Sequence, residues 1–324
     1  EKFPTIMRVL VTGSLSYDYI MDFPGRFADR IMPDKIHKIS LSFLVDKLDK
    51  QFGGIGVNIG YTLKLLGIDP TILAAGGKDF GPYKTFLRRH KISTNSIKIH
   101  KDTNTSSYFV VTDKEDNQIG SFYIGAQKHA SKLSVAQYTD SGNRPDLVVI
   151  APTDPKAMTK FVRECNDSNL PYVYHPAFQI ATFSKEELQA GVKGATVVIG
   201  NDYEVALMEN RMDISHEELV TTVPVVITTL GSKGSIVETR TESIHIKPAK
   251  PKAVVDPTGA GDAYSAGFIA GYLRRFDFAV CGQMGSVAAV YAVEKYGTLP
   301  HPFTKKEFIA RYKENFGSSF TLAL

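Results

Sequence analysis

The sequence predicts an α/β fold, in which helices cover both faces of a mainly parallel sheet and a small antiparallel sheet is inserted as a lid. Three observations lead to this prediction. Short apolar runs bounded by turn residues alternate with helix-like spacing along most of the 324 residues. Two regions, 15–45 and 97–124, interrupt that rhythm with alternating apolar and polar residues. A run of small residues opens a late helix, and helix starts at the carboxyl edge of such sheets bind anions.

The regular rhythm predicts the strands of the large sheet. These runs are Arg8–Thr12, Thr71–Ala75, Asp146–Ile150, Pro171–Tyr174, Thr196–Ile199 and Val225–Thr229. Because a helical stretch follows most of them, we expect parallel neighbours whose carboxyl ends share one edge of the sheet. Two later runs, Ser235–Thr239 and Glu242–Lys247, predict an antiparallel pair at one side, and Thr304–Phe316 predicts a closing amphipathic helix.

The two interrupting regions predict the smaller sheet. Ile39, Leu41 and Phe43 share one face of a segment with strand-like alternation. Asp116-Asn117 separates Tyr108–Thr112 from Ile119–Tyr123, as the turn of a β-hairpin would. We therefore expect a lid built from residues 15–45 and 97–124, and a large domain built from residues 7–14, 46–96 and 125–324.

Composition excludes several classes of protein. The net charge is only +4, and the basic residues are scattered, which disfavours a nucleic-acid partner. No apolar stretch approaches the ~20 residues that a membrane span needs. The two cysteines, Cys165 and Cys281, fall in helical patterns and are expected to be buried thiols, as in a reducing cytoplasm. We therefore expect a cytoplasmic protein with a small-molecule partner.

A turn of small residues before the late helix is the most informative segment for function. Pro257 disfavours helix at Asp256, whereas the residues from Asp262 to Leu273 have the pattern of a buried helix. The first N–H groups of a helix lack internal partners and carry partial positive charge, so they attract anions. The small residues that could expose these N–H groups are Gly259, Ala260 and Gly261.

Asp262 stands beside this anion site and has two interpretations. It either favours the positive end of the helix, an effect worth ~0.3–1 kcal/mol, or accepts the proton of an attacking hydroxyl group. A carboxylate repels a bound phosphate unless it has a chemical task there, which favours the second interpretation. In phosphoryl transfer the transition state is loose, so a weak base with a reference pKa of ~3.9 suffices. The turn and Asp262 together predict a phosphoryl-transfer site.

Two segments near the amino terminus suit a polyhydroxylated ligand. Gly53 and Gly54 precede a helical run and let backbone N–H groups approach a ligand closely, and Asn58 adds a donor and an acceptor. Asp18 follows the first strand, where it either forms a turn or accepts hydrogen bonds from two sugar hydroxyls. The glycine spacing does not match the dinucleotide fingerprint G-x-G-x-x-G, and the chain lacks a Walker A motif.

Two further segments follow predicted strands. Asn201 and Glu204 either cap a helix reciprocally or supply oxygen ligands for Mg²⁺. The glycines of Thr229–Gly234 either form a hairpin turn or a loop that holds the phosphates of a nucleotide. The sequence contains neither H-E-x-x-H nor G-x-S-x-G, so metallohydrolase and serine-hydrolase functions are excluded at the level of motifs.

Taken in chain order, these motifs resemble the ribokinase, or PfkB, family of sugar and nucleoside kinases, over nearly the whole chain. The matching residues are Asp18, Gly53-Gly54 with Asn58, Asn201 with Glu204, Thr229 with Gly231 and Gly234, and Asp256–Asp262. The resemblance implies a ribokinase-like three-layer αβα domain with a β-sheet lid that closes over the substrate and excludes water. It also implies an ATP-dependent enzyme that uses Mg²⁺, and it leaves open whether K⁺ activates the enzyme.

The resemblance assigns a role to each motif. It implies that Asp262 is the catalytic base and that Gly259–Gly261 form the anion hole. The residues implied to bind the substrate are Asp18, Gly53, Gly54, Asn58 and Phe122. Those implied to face ATP are Asn201, Thr229, Gly231, Gly234, Thr258 and Ser286, and those implied to organise Mg²⁺ are Asn201 and Glu204. The lid either covers its own site in a monomer or pairs with a second copy in a homodimer.

Within the family, Arg26-Phe27, Leu41–Phe43 and Phe122–Ala126 resemble bacterial adenosine kinases, although His175-Pro176-Ala177 stands where those relatives usually carry Asp-Pro-Gly. Aromatic rings of a lid can stack on a purine for ~1–3 kcal/mol. The resemblance therefore implies a nucleoside acceptor, with adenosine expected first and a free sugar such as ribose or fructose as the alternative. A binding protein without catalysis is a remote alternative, and the glycine spacing argues against a dehydrogenase.

Overall fold

Thirteen strands and ten α-helices lie within the residues described by a computed structural model, which are 7–32, 34, 38, 40–115, 117–317 and 324. The strands are β1 Arg8–Thr12, β2 Ser16–Asp22, β3 Lys47–Gly53, β4 Asp69–Gly77, β5 Ile97–His100, β6 Ser106–Thr112, β7 Gln118–Tyr123, β8 Leu147–Ile150, β9 Tyr172–Tyr174, β10 Val197–Asn201, β11 Val225–Thr229, β12 Ser235–Glu238 and β13 Ser243–Ile246. The helices are α1 Ile55–Leu65, α2 Gly81–Arg89, α3 Val135–Asp140, α4 Pro155–Asp167, α5 Lys185–Lys193, α6 Asp202–Met212, α7 His216–Thr222, α8 Ala260–Leu273, α9 Phe278–Val293 and α10 Lys305–Phe316.

The large sheet has nine strands in the order β13-β12-β11-β10-β9-β8-β1-β4-β5. The strands from β11 to β5 are parallel, and β12 and β13 form the antiparallel edge that the sequence predicts. The six predicted parallel strands are all present. A seventh parallel strand, β5, lies at the other edge, where the sequence prediction placed the beginning of the lid.

Helices cover both faces of this sheet, so the predicted three-layer αβα architecture is confirmed. Successive side chains of a strand point to opposite faces, and in β1 Val9 and Val11 join one buried cluster whereas Leu10 joins another. The first cluster contains side chains of α1, α2, α8, α9 and α10, and the second contains side chains of α3–α7. Cys165 and Cys281 are buried free thiols in α4 and α9.

The small sheet has the order β3-β2-β6-β7 and includes the predicted hairpin of β6 and β7. Its outer pairs are antiparallel, and its central pair, β2 with β6, is parallel. The predicted boundaries differ from the observed pairing at two places. Lys47–Gly53, assigned to the large domain, is hydrogen-bonded along its length to β2. Ile97–His100, assigned to the lid, pairs instead with β4 of the large sheet.

The physical reason for both differences lies in long-range pairing. The charged residues of β3 hide its alternation, because half of this strand faces solvent. The segment around Leu41 forms no strand, and Phe43 instead packs against Phe23 and Phe27 with ring centroids 4.9 Å apart in each case. Ile39 of that segment and Asp116, the first residue of the predicted hairpin turn, lie outside the described residues. Within the described part of the chain, no helix combines the length and the apolar character that a membrane crossing requires.

Candidate active site

Two cavities meet at the carboxyl edge of the large sheet. The first cavity, of about 600 Å³, lies between the small sheet and the start of α8. The second cavity, of about 540 Å³, lies between the β11–β12 connection and α9. Thr229 and Gly261 line both, so the two cavities adjoin at the beginning of α8. Molecules bound in the two cavities would therefore lie on either side of this junction.

The predicted site residues, far apart in sequence, gather around these cavities. Those lining the first cavity are Asp18, Gly54, Asn58, Phe122, Asn201, Glu204, Thr229, Thr258, Gly259, Gly261 and Asp262. Those lining the second are Thr229, Gly231, Gly234, Ala260, Gly261 and Ser286. Gly53 lines neither cavity, because it lies directly behind Asp18.

Asp262 occupies the first turn of α8 and is buried. Its Oδ2 accepts a hydrogen bond of 2.8 Å from the side-chain amide of Asn58 in α1. Burial raises the pKa of Asp262 to about 7, the Asn58 hydrogen bond lowers it, and the negative charges of Glu204 and Asp18 raise it further. A carboxylate with such a pKa is a competent base near neutral pH, because it is substantially ionised there and still basic.

The turn before α8 presents free backbone donors to the first cavity. Within the described residues, the N–H groups of Gly259, Gly261 and Asp262 donate no hydrogen bond. Gly259 has φ +80°, a conformation that favours glycine, and it is the residue before the first helical position. A methyl group at Gly261 would meet no atom within 4 Å, so the backbone there is open to both cavities.

Ala260 departs from the prediction that it contributes to the anion hole. Its N–H donates to the carbonyl of Pro257 at 3.2 Å, and the residue lines the second cavity. The proline turn that starts the helix uses this donor internally, and the N–H of Asp262, which the sequence prediction did not include, is free. The same turn is braced by Asp256, whose carboxylate accepts from the N–H of Thr258 at 2.9 Å and of Gly297 at 3.0 Å.

Asp18 faces the first cavity from the middle of β2. Its Oδ1 accepts from the hydroxyl of Ser16 at 3.3 Å, and within the described residues Oδ2 accepts no hydrogen bond. Burial raises the pKa of Asp18 to about 6. A Cβ at Gly53 would lie 2.0 Å from Oδ2, and one at Gly54, where φ is +100°, would lie 2.6 Å from the carbonyl oxygen of Ser14. Gly53 therefore leaves room for the carboxylate of Asp18, and Gly54 is required by its positive φ and by close packing against the backbone of residues 14–16.

Asn201 and Glu204 form the reciprocal helix cap that the sequence offered as one alternative. The side chain of Asn201 accepts from the N–H of Glu204 at 2.8 Å, and Oε2 of Glu204 accepts from the N–H of Asn201 at 2.9 Å. Oε1 of Glu204 has no hydrogen-bond partner within the described residues, and the carboxylate borders the first cavity. Burial raises the pKa of Glu204. A half-buried carboxylate with a free oxygen fits a Mg²⁺ ligand, so the cap and the metal role are compatible.

The second cavity suits a flat apolar group next to phosphates. About half of its lining residues are prolines, alanines and valines of the 248–257 segment and α9. Gly231 and Gly234, with φ values of +57° and +94°, form the tight connection between β11 and β12 at its mouth. Ser286 of α9 lies in the wall, where its hydroxyl accepts from the N–H of Ala249 at 2.7 Å.

The sequence prediction missed His175 as a site residue. This imidazole is 7% exposed, borders the first cavity, and its Nδ1 has no hydrogen-bond partner within the described residues. Burial lowers the pKa of His175 to about 4, so the ring is neutral. Buried His301 differs, because its ring nitrogens lie 2.9 Å from the hydroxyl of Thr62 and 3.0 Å from the carbonyl of Thr298. The sequence did carry a signal for this residue, because His175 stands where the relatives named in the sequence analysis usually carry aspartate.

Aromatic side chains stand on two sides of the same cavity. Phe122 of β7 is 50% exposed, and Tyr108 of the neighbouring strand β6 also borders the cavity. Phe178, in the 3₁₀ segment Ala177–Thr182, is 61% exposed and was not predicted. Exposed rings at a cavity rim provide flat surfaces for stacking.

Comparisons with known proteins agree with this geometry. The pattern that defines pfkB family carbohydrate kinases matches residues 11–304. A nucleoside kinase of Methanocaldococcus jannaschii is 28% identical over 292 residues, which cover 90% of this chain and 91% of that protein.

A nucleoside kinase of Burkholderia thailandensis is similar in structure. Its complex with inosine has a TM-score of 0.86 and 29% sequence identity, covering 96% of this chain and 98% of that chain. Its complex with ADP-inosine has a TM-score of 0.84 and 30% identity, covering 96% of each chain. These findings confirm the resemblance on which the sequence prediction rests. The chain therefore belongs to the pfkB family of carbohydrate kinases, which are ATP-dependent phosphotransferases with a hydroxyl group as acceptor.

Proposed function

We propose that this protein transfers the γ-phosphoryl group of ATP to the 5′-hydroxyl of a purine nucleoside, with adenosine as the first substrate to test. The observation that carries the proposal is the meeting of the two cavities at Gly261, beside the carboxylate of Asp262. The nucleoside would occupy the first cavity and ATP the second. Inosine is the second candidate, because a relative with 29% identity binds it.

The proposed acceptor geometry uses Asp18 and the aromatic rim. The free Oδ2 of Asp18 accepts hydrogen bonds from ribose hydroxyls, which orients the 5′-hydroxyl toward Asp262. The exposed rings of Phe122 and Phe178 offer surfaces for the purine. The unpartnered Nδ1 of His175 is available for a polar group of the nucleoside.

The proposed chemical step is an in-line displacement. A 5′-hydroxyl oxygen forms the new bond to the γ-phosphorus, the bond from that phosphorus to the bridging oxygen breaks, and ADP leaves. Asp262 receives the hydroxyl proton on its carboxylate. The free N–H groups of Gly259, Gly261 and Asp262 stabilise the negative charge on the transferred group, and each such donor is worth ~2.7–4 kcal/mol in related oxyanion sites.

Mg²⁺ would neutralise charge on the ATP phosphates. Glu204 would hold it through its free Oε1, directly or through water, while the cap with Asn201 keeps the carboxylate in place. Thr229 lies between the two cavities and faces the same phosphates in this arrangement.

A substrate panel tests the proposal. Purified protein is mixed with MgATP and with adenosine, inosine, cytidine, ribose or fructose, and ADP release and the phosphorylated product are measured by enzyme coupling and mass spectrometry. We expect a 5′-monophosphate with a purine nucleoside and at least ~100-fold less turnover with Asp262→Asn. Parallel series with K⁺ and Na⁺ show whether K⁺ activates the enzyme.

Three outcomes would contradict the proposal or part of it. Faster turnover of ribose or fructose than of any nucleoside would identify a sugar kinase. Nucleoside binding without ADP release would identify a binding protein that retains the fold. Full activity of Asp262→Asn would exclude the assigned base while leaving the family membership intact.

A further inference from the structure

Three donor groups that the proposed reaction does not use converge at one edge of the large sheet. His100 ends β5, Asp102 follows it, and His129 lies in the 3₁₀ segment Gly125–Lys132 after β7. One ligand atom from each residue lies within 4.8 Å of the others. Nε2 of His129 is buried and lies 3.4 Å from Oδ2 of Asp102, without hydrogen-bond geometry. The two imidazole rings stack with centroids 4.0 Å apart and planes 14° from parallel.

We propose that His100, Asp102 and His129 form a site for one divalent transition-metal ion, and that Zn²⁺ is the ion it takes. Two imidazole nitrogens and one carboxylate oxygen form a donor set typical of Zn²⁺ with a remaining open position. In a tetrahedron with bonds of 2.0–2.1 Å, ligand atoms lie about 3.3 Å apart. Because the lone pair of an imidazole lies in its ring plane, the stacked rings of His100 and His129 must separate when the ion binds, and the exposed side chain of Asp102 must rotate toward it.

The charges around the cluster are mixed. Lys128 and Lys132 lie near His100 and oppose a cation, and the carboxylate of Asp102 compensates for part of that repulsion.

The mutual proximity of three donor atoms distinguishes this cluster from a second histidine with acidic neighbours, His216. His216 lies 2.6 Å from Glu209 through Nδ1 and 2.9 Å from Glu238 through Nε2. The two carboxylates therefore occupy opposite sides of one ring, and no single ion can contact all three groups. At His100, Asp102 and His129, one donor atom from each residue lies within 4.8 Å of the other two.

The cluster lies where the chain enters and leaves the β6–β7 hairpin, so a bound metal would affect the attachment of this hairpin. The chain passes from the large sheet into the β6–β7 hairpin through residues 101–105 and leaves it through residues 124–129. These two connections are already joined by hydrogen bonds, from Ala126 N–H to the carbonyl of Asn104 at 2.9 Å and from the Ser106 hydroxyl to the carbonyl of Ile124 at 2.7 Å. A metal bound to Asp102 and His129 adds a cross-link at the root of the hairpin that carries Phe122 to the first cavity.

Metal titration of the full-length protein, free of any affinity tag, tests this proposal independently of catalysis. Calorimetry with Zn²⁺ alone is expected to give one site per chain, and His100→Ala or His129→Ala is expected to weaken binding by at least ~10-fold. His245→Ala is the control, because this exposed histidine lies on β13 at the opposite edge of the sheet. Its Zn²⁺ affinity should equal that of the wild type.

Two further measurements protect the test against misfolded variants. Co²⁺ bound to the wild-type site should produce visible ligand-field absorption that excess Zn²⁺ abolishes, and Asp102→Asn, at an exposed position, should reduce it. Zn²⁺ should slow amide exchange in residues 106–123 of the wild type but not of His129→Ala. Absence of Zn²⁺ binding to the wild type, or unchanged affinity in folded His100→Ala and His129→Ala, would overturn the proposal.

Discussion

The side-chain amide of Asn58 donates a 2.8 Å hydrogen bond to the carboxylate of Asp262, which lies 204 residues further along the chain. This contact joins the glycine-rich start of α1 to the start of α8. It also opposes the effect of burial, because the hydrogen bond favours the ionised form of Asp262 whereas burial disfavours it. Oδ1 of Asn58 is buried without a partner in the described residues and remains available to a ligand.

Replacing Asn58 should move the pH dependence of the proposed reaction. In the wild type we expect kcat/KM to rise with pH through about 7, as Asp262 loses its proton. Without the stabilising donor, Asn58→Ala should shift this acidic limb upward by ~1 pH unit, since a hydrogen bond to a charged group is worth ~1.5–3 kcal/mol. A pH–rate profile with a saturating ATP concentration measures the shift. An unchanged limb would show that Asp262 does not set it.

Burial of Asp262 should make the folded protein less stable as the pH rises. The folded pKa of about 7 exceeds the unfolded value of 3.8, so the folded state binds the additional proton between these pH values. The free energy of unfolding attributable to this group therefore falls across that window and stays low above it. Asp262→Asn lacks this titration. Its melting temperature should match that of the wild type near pH 4 and exceed it by at least ~2 °C at pH 8. An equal difference at both pH values would contradict this account.

Alanine substitutions at two glycines of α8 should distinguish a loss of kcat from a loss of thermal stability. Gly261→Ala should fold normally, because its methyl group meets no atom within 4 Å, yet lose ~100-fold in kcat by obstructing the junction of the cavities. Gly267→Ala is the matched control, since its methyl group would lie 2.5 Å from the carbonyl oxygen of Met284. That variant should lose thermal stability and retain kcat per folded molecule. The reverse pattern would reject Gly261 as part of the reaction site.

Replacing Asp18 should raise KM for the nucleoside and leave KM for ATP nearly unchanged. Removing its charge in Asp18→Asn should raise KM for the nucleoside by ~10–100-fold, the loss expected for hydrogen bonds to a charged acceptor. KM for ATP should change by less than ~2-fold, because Asp18 lies outside the second cavity. Asp22→Asn, on the same strand but outside the first cavity, is the control for general effects on β2. A parallel rise in both KM values would indicate a structural effect.

Glu204 should control the requirement for Mg²⁺. Glu204→Gln keeps an acceptor for the helix cap but removes the negative charge, so half-maximal activity should need ~10-fold more Mg²⁺. Glu187→Gln is the matched control, because Ser184 and Glu187 form the same reciprocal cap on α5, away from both cavities. Mg²⁺ titrations at constant ATP give the comparison. Identical Mg²⁺ curves for the two variants would leave Glu204 with only its capping role.

Local sequence patterns were sufficient for most of the fold. Six of the seven parallel strands are short apolar runs, and these were recognisable because their burial on two faces requires apolar side chains at successive positions. The partly exposed edge strand β5 was not. The start of α8 was recognisable for a similar reason, since a proline turn and small residues are local requirements of a helix that exposes its first N–H groups. The order of the motifs along the chain then matched that of a known family.

Long-range pairing decided the remainder. The sequence contains no local signal that β3 pairs with β2, that Asn58 contacts Asp262, or that Ala260 uses its N–H in the preceding turn. His175 and Phe178 became site residues only when the segment after β9 was folded against the first cavity. The sequence alone thus determined the features that depend on residue type and short spacing, such as the turn of small residues beside Asp262. Protonation, free hydrogen-bonding atoms and the meeting of the two cavities depend on burial by distant residues, so only the tertiary structure decided them.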